Sequence, residues 1–333
     1  MTTTTTSHHA ATRELAVQPH RRPAAFSRRT RHGLTVLSFM APALIGILAF
    51  LVYPLLSALY FSFTRFNLLT PPTWVGLRNY GAMLHDANLL KAVENTLWLV
   101  AIMVPAQVLF GLGTGMLVAS VRRGTSFYRT VFYLPALVPP VAGALAFVYI
   151  LKPGAGPVNR MLSAVGIDGP LWFNDPTWAK PSLTLLALWG IGNTMVIFLA
   201  ALLDVPANLH EAAALDGATG WQRFRLVTLP TLSPVIAFSA ITGVIAALQY
   251  FTQAAVAASA ANGEANTGGG SVASAFGDPE GSTFTYPLWL YLKGFKYNKL
   301  GYASAMAIVL FVVAFTVIAI IIRRSKSLSG EAS

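Results

Sequence analysis

Glu211-Ala-Ala-Ala-Leu-Asp-Gly-Ala-Thr-Gly-Trp-Gln-Arg-Phe-Arg-Leu-Val-Thr-Leu-Pro230 is a polar stretch set between two long apolar segments. Pro206 to Leu215 is rich in Ala, Leu and Glu, good helix formers, with Pro206 suited to a first turn and Gly217 to a left-handed C-terminal cap. Thr219-Gly-Trp-Gln222 then has the form of a capping box, in which a Thr hydroxyl accepts from a backbone N–H while Gln reaches back to the cap. A second helix starts there and runs toward Leu229, and Pro230 marks the approach to the next apolar segment. The spacing therefore predicts two short helices with a glycine joint. Their small Ala faces let another protein's groove approach closely. An ordinary amphipathic turn between membrane segments shares this composition, and both readings stay open at this point.

The composition around this stretch belongs to a membrane protein. Hydrophobic residues make up 55% of the 333, charged residues 11%, and the mean hydropathy is +0.59, whereas a soluble domain carries roughly 25% charged residues. Six segments reach the about 20 mostly apolar residues needed to cross a hydrocarbon core: Leu34 to Phe63, Leu97 to Val121, Val131 to Leu151, Leu183 to Leu203, Leu232 to Val256 and Ala303 to Ile322. The fifth is the least clean, passing through Gln249 and Gln253 toward Asn262, and is expected to end early or unwind there. With no cysteine, the chain offers neither a disulfide framework nor a thiolate metal site.

Counting Lys and Arg on alternate sides of these spans gives 14 on the side of both termini and 9 on the other. The excess places both termini, and with them the Glu211 stretch, in the cytoplasm of a multi-pass plasma-membrane protein. The formal charge of +11 is mostly this asymmetry, with the basic tail from Arg13 to Arg31 facing anionic lipid rather than nucleic acid. Arg28, Arg29 and Arg31 precede an apolar run that continues past Pro54 to Phe63, too long for the about 7 to 15 residues of a signal-peptide core, so the first span reads as an uncleaved anchor. Residues 1–33 read as a disordered basic tail, 34–325 as one transmembrane domain and 326–333 as a second tail. Within the domain, 204–230 forms the polar loop and 257–300 a long external connection.

What the spans lack narrows the function. No Asp, Glu, Lys, Arg or His falls inside the six apolar cores, which disfavours proton relays, although sodium held by backbone carbonyls stays open. No G-x-x-x-x-G-K-[ST] phosphate loop occurs, so energy, if used, comes from another chain. Four of the six His sit near the N-terminal tail, and no set of nucleophilic or ionisable groups converges at one depth, so neither an intramembrane enzyme nor a metal centre is expected. Gly111-x-x-x-Gly115 reads as close helix packing, and prolines 105, 135, 139 and 140 read as kinks.

Glu211-Ala-Ala, Asp216-Gly217-Ala218, Gln222, Phe224 and Leu229-Pro230, in that order, resemble the EAA loop of the permease subunits of carbohydrate-type ATP-binding-cassette importers. The resemblance extends from about residue 35 to residue 325. Val75-Gly-Leu-Arg-Asn-Tyr80 with Asn95-Thr96, Arg129-Thr-Val-Phe-Tyr-Leu-Pro135, Asn159-Arg-Met-Leu, Trp172-Phe-Asn-Asp-Pro176 and Gly301-Tyr-Ala-Ser-Ala305 are similar to family motifs and stand in the family's order.

The resemblance implies an all-α membrane protein of six transmembrane helices with a cytoplasmic coupling loop between the fourth and fifth. It implies the first permease of a maltose- or lactose-type pair, partnered by a second permease, two ATPase subunits that hold ATP and Mg, and an extracellular solute-binding protein. The permease itself would carry no cofactor and no catalytic residue. Coupling would rest on Glu211, Ala212, Ala213, Asp216, Gly217, Ala218, Gln222, Phe224, Leu229 and Pro230, with Glu211 pairing with a basic residue of the ATPase and Gly217 supplying the bend.

Neutral sugars are held by hydrogen bonds and by apolar ring faces on aromatics. Asn193 in the fourth span and Gln249, Tyr250, Phe251 and Gln253 in the fifth are the candidates for the substrate path, against the alternative that each bonds a neighbouring helix. Thr252 stands where the family commonly has an acidic residue, and the connection from Ala257 to Pro287, with Gly268-Gly-Gly270, is longer than usual. Two other readings stay open at this point: a stand-alone secondary carrier or channel for a small polar solute, and a membrane scaffold. No inverted repeat favours the carrier.

Overall fold

The computed structural model describes residues 28–121, 123–262 and 279–328. Gly268-Gly-Gly270 and the tail up to Ser27 lie outside them. The chain divides into two compact units, 1–55 and 56–333. α1 (Arg28–Ile47), in the first, leads through a π-helical turn at Leu48–Val52 into α2 (Tyr53–Ser62), whose residues from Leu56 belong to the second. The described part of α1 runs from Arg28, so 28–33, assigned above to the tail, are helical: extending an existing helix is far easier than nucleating one, and three arginines favour it even though Thr30, His32 and Gly33 do not. Phe39 and Phe50 are 84% and 86% exposed, as suits side chains turned to lipid or to a partner.

In the second unit a two-residue antiparallel pair, β1 (Thr64–Arg65) with β2 (Thr73–Trp74), leads to α3 (Arg78–Met83) and then to α4 (Ala87–Ser120). Asp86 caps α4, accepting from the Leu89 N–H. The helix therefore starts ten residues before the expected Leu97 and carries Lys91 and Glu94 on its first turns. Pro105 does not interrupt it.

Prolines do break the next segment. α5 (Thr125–Tyr133) runs through a 3-10 turn to Leu137 and meets α6 (Pro140–Ile150) at 99°. Val138 and Pro139 are extended there, because a residue before proline is pushed out of the α region. The expected Val131 to Leu151 span is thus two helices and not one rod.

After α7 (Pro157–Ala164) come α8 (Pro176–Trp189) and α9 (Gly192–Leu203), bent at 51°. At this bend a side chain at position 192 would sit 2.8 Å from the Phe132 carbonyl oxygen and 2.8 Å from Tyr133 Cα, so only glycine lets α9 start there. α10 (Ala207–Leu215), α11 (Gly220–Arg223) and α12 (Leu229–Thr231) form the polar loop, and α13 (Ser233–Leu248) continues from it at a 65° bend. α14 (Thr252–Asn262), α15 (Tyr286–Tyr291) and α16 (Leu300–Leu328) complete the described chain.

Two expectations change here. The 257–300 connection is partly helical, with Leu288, Trp289 and Leu292 buried, and α16 extends into the second tail. The fifth apolar segment ends at Leu248 and reopens at Thr252, as its glutamines predicted. By length and composition, Thr35–Ser62, Ala87–Ser120 and Leu300–Arg323 each suffice to cross a membrane, and the three bent pairs pass only when each is taken together.

α4 packs along α9 and α13. A Cβ added at Gly111 would meet Thr194 Cγ2 at 2.7 Å and one at Gly115 would meet Phe198 Cβ at 3.2 Å, so this glycine pair is a helix-packing notch, as read from its spacing. Leu99, Met103, Leu183, Met195 and Phe198 fill the core beside it.

Candidate functional site

The break between α13 and α14 opens a cavity of about 470 Å³. Gln249 closes α13 as its C-cap and Gln253 is the second residue of α14, so both amides stand at backbone that has left the helix or just rejoined it. Asn193 arrives from the bend at the start of α9, and Tyr250 lines the wall while donating its hydroxyl to the Leu183 carbonyl at 3.3 Å. Four of the five residues proposed for the substrate path therefore line one cavity.

Phe251 does not join them. Neighbouring residues in the unwound segment point apart, and Phe251 packs instead against Tyr291, ring centroids 5.3 Å apart. Two lining residues escaped the sequence reading: Gln107 of α4, an amide within an otherwise apolar span, and Trp189 at the end of α8, whose ring meets Phe147 at 5.3 Å. The cavity pairs amides with aromatic faces, the chemistry that holds a hydroxylated ring. Asn193, Gln249 and Trp189 are also solvent-exposed in the isolated chain.

The polar loop has the local structure its sequence requires. α10 ends in a Schellman motif: the Ala218 N–H donates to the Ala213 carbonyl at 2.9 Å, the Gly217 N–H to Ala214 at 3.1 Å, and Gly217 has φ +76°. The capping box is complete, with the Thr219 N–H donating to Gln222 Oε1 at 2.7 Å and the Gln222 N–H to Thr219 Oγ1 at 3.4 Å. The second helix does not stop at Leu229. A π-helical turn, Phe224–Thr228, carries it to Thr231; Pro230 lacks the N–H that a regular turn would use, and the widened turn lies immediately upstream of it.

Phe224 is half-buried and packs against the cluster of Leu112, Phe198 and Leu232, which joins α4, α9 and the residue that caps α13. Glu211, Ala212, Asp216, Gly217, Gln222, Leu229 and Pro230 are exposed, while Ala213 and Ala218 are half-buried. Leu215, Trp221 and Leu226, 89%, 68% and 69% exposed, add an apolar surface that the sequence reading passed over. Their signal was present: three large apolar residues in a polar loop.

A third cluster lies at the N-terminus of α4. Asp86 Oδ2 pairs with Lys293 Nζ at 3.0 Å and accepts from Trp289 Nε1 at 3.0 Å and from the Tyr302 hydroxyl at 2.9 Å. Lys293 Nζ lies 4.3 Å from the Trp289 ring centroid. Burial alone would raise the Asp86 carboxyl, but hydrogen bonds from Lys293, Tyr302 and Trp289 and the Lys293 charge outweigh it and hold the group below the usual carboxylate range. Several motif residues quoted above are pins of the same kind. Asn79 Nδ2 donates to the Ser62 and Thr64 carbonyls, Asn95 Nδ2 to those of Gly281 and Phe284, and Trp172 Nε1 to Asn159 Oδ1.

Residues 107–326, which hold most of the large cavity's lining and the whole loop, match the family described as binding-protein-dependent transport system inner membrane component. The chain belongs to that family. Among this component's relatives, the probable ABC transporter permease protein YesP of Bacillus subtilis (strain 168) is 35% identical over 299 residues, 89% of this chain and 92% of that one. The sulfoquinovosyl glycerol transport system permease protein SmoG of Agrobacterium fabrum (strain C58 / ATCC 33970) is 31% identical over 293 residues, 87% of this chain and 90% of that one. A chain of the crystal structure of a bacterial ABC transporter involved in the import of the acidic polysaccharide alginate has the same fold, with a TM-score of 0.73 at 22% identity over 90% of this chain and 97% of its own. The inner membrane component described here thus has the ABC permease fold and is a multi-pass membrane protein.

Proposed function

We propose that this chain is one of two permease subunits of an ATP-driven importer for a sugar, polyol or oligosaccharide delivered by an extracellular solute-binding protein. The observation that carries the reading is the two-helix knob at 207–231, whose outer face is exposed and whose Phe224 is seated among three membrane helices. A movement imposed on the knob is passed through Phe224 to α4, α9 and α13. ATP and Mg belong to two partner ATPase subunits, and the knob is where they dock. Six membrane crossings, with each bent pair taken as one and both termini cytoplasmic, place the knob on the ATPase side.

The substrate class is supported by the amide and aromatic lining of the cavity at the α13–α14 break and by the sulfoquinovosyl glycerol named for the SmoG relative. A second permease covers the exposed side at Asn193, Gln249 and Trp189 and completes the path. In proteoliposomes containing the chain and the subunits that copurify with it, Glu211→Lys is expected to lower ATP-driven sugar uptake by more than about ten-fold, since reversing an interface charge costs about 2–5 kcal/mol. Uptake that stays coupled to ATP hydrolysis in this variant overturns the docking role.

A further inference from the structure

A second, smaller cavity lies along the same seam between α4 and α8, nearer the N-terminus of α4. Its volume is about 210 Å³, and its lining includes Lys91, Glu94, Asn95, Lys180, Glu280 and Ser282. That volume holds roughly seven waters at their liquid density, or one six-membered sugar ring in their place. Asn95 and Gln107 are twelve residues apart on α4, which sets the two cavities roughly 18 Å apart along the helix. Between them Leu99 and Leu183 are fully buried, and the Leu183 carbonyl accepts the hydroxyl of Tyr250 from the larger cavity.

The lining is polar and balanced in charge. Two ammonium and two carboxylate groups face the cavity, and among the described residues no ion pair joins them. Asn95, 1% exposed, is held rigid: Nδ2 donates to the Gly281 and Phe284 carbonyls, and Oδ1 accepts from Lys180 Nζ at 3.2 Å. Ser282 is 5% exposed, and its Oγ has no hydrogen-bond partner. That oxygen has essentially no accessible surface, so Ser282 lines the cavity with its other atoms and its hydroxyl is not among the groups a ligand meets.

Cations alone would select an anion, and carboxylates alone a cation. Donors and acceptors in equal supply fit a neutral molecule whose every hydroxyl both donates and accepts. We propose that this cavity is a first sugar subsite, which takes one ring of a neutral pyranoside before it reaches the larger cavity. The lining sets a polar ligand of no net charge; the choice of a sugar over a zwitterion, and the order of the two sites, rest on the import reading above.

Saturation-transfer difference NMR with glucose as probe tests the site. The full chain is placed in nanodiscs with whatever subunits accompany it, in a Gln107→Ala/Gln249→Ala background that weakens the larger cavity. Transfer to glucose is expected in that background, and Glu94→Gln or Lys180→Gln lowers the apparent affinity about ten-fold, as the loss of one charged hydrogen bond does. Glu280→Gln, at an exposed position, provides a variant with little bearing on folding and the same expected direction. No transfer to glucose, transfer unchanged by all three substitutions, or stronger transfer to gluconate than to glucose overturns the subsite. ATP-driven uptake by the unaltered complex is measured alongside. Binding without any uptake strikes the import reading and leaves the subsite standing; uptake with unaffected binding in the three variants does the reverse.

Discussion

The two ends of α4 are held by different physics. At its N-terminal end, side chains bond partners far away in sequence: Asn95 to Gly281, Tyr286 to Thr96, and Trp289, Tyr302 and Lys293 to Asp86. At its C-terminal end the side-chain bonds are local, Ser120 to Leu117, Thr219 with Gln222 and Thr231 to Val227, and the loop is anchored by the apolar contacts of Phe224. Directional bonds fix a geometry, whereas apolar contact is non-directional and tolerates sliding. On the coupling proposed above, one end would stay in place while the other shifts as a body.

The comparison breaks first at Asp86. Asp86→Ala removes the α4 cap and leaves Lys293, Trp289 and Tyr302 without their common acceptor. Truncating one member of a largely buried pair is expected to destabilise by about 2–4 kcal/mol, read as a lower thermal midpoint in detergent. The pH profile sharpens the point. Because the folded carboxyl lies below its unfolded value, its contribution is fully present above the unfolded value and is lost as the pH falls through the lowered folded one. The midpoint is therefore expected to hold at neutral pH and to drop below about pH 4, with Asp86→Asn lacking that portion of the drop.

At the other end Phe224→Ala, which empties a half-buried apolar socket, is expected to cost about 1–3 kcal/mol and to reduce uptake more than stability. Gly217→Ala is a finer probe. No atom lies within 4 Å of the added Cβ, so only the left-handed backbone opposes it, at about 1–2 kcal/mol. The smallest effect on stability is expected from Gln249→Ala with Gln253→Ala, within about 0.5 kcal/mol, although uptake falls. Unchanged uptake in that pair removes both amides from the substrate path.

Local signals were legible in the sequence and distant ones were not. Gly217, Thr219 and Gln222 act through neighbours three or four residues away, so the cap and the box could be read directly. The break at Gln249 to Phe251 was legible because amides interrupt an apolar run. Asp86 gave no such sign: its partners lie more than 200 residues along the chain, and an isolated aspartate before a helix reads only as a cap. Phe251 stands apart from the cavity its neighbours line, and composition does not tell which way a side chain turns once a helix unwinds. Lys91, Glu94 and Lys180 were placed outside the spans because hydropathy follows the apolar core and not the helix that extends beyond it.

Gly301 donates its N–H to the Phe66 carbonyl at 3.1 Å, and a Cβ there would lie 2.0 Å from the Thr64 carbonyl oxygen. This clasp joins the strand that follows the first apolar segment to the start of the last. At synthesis rates of about 5–20 residues per second, the chain between them takes roughly ten to fifty seconds to emerge. For that interval the early segments are without their closing contact, which only the last helix supplies.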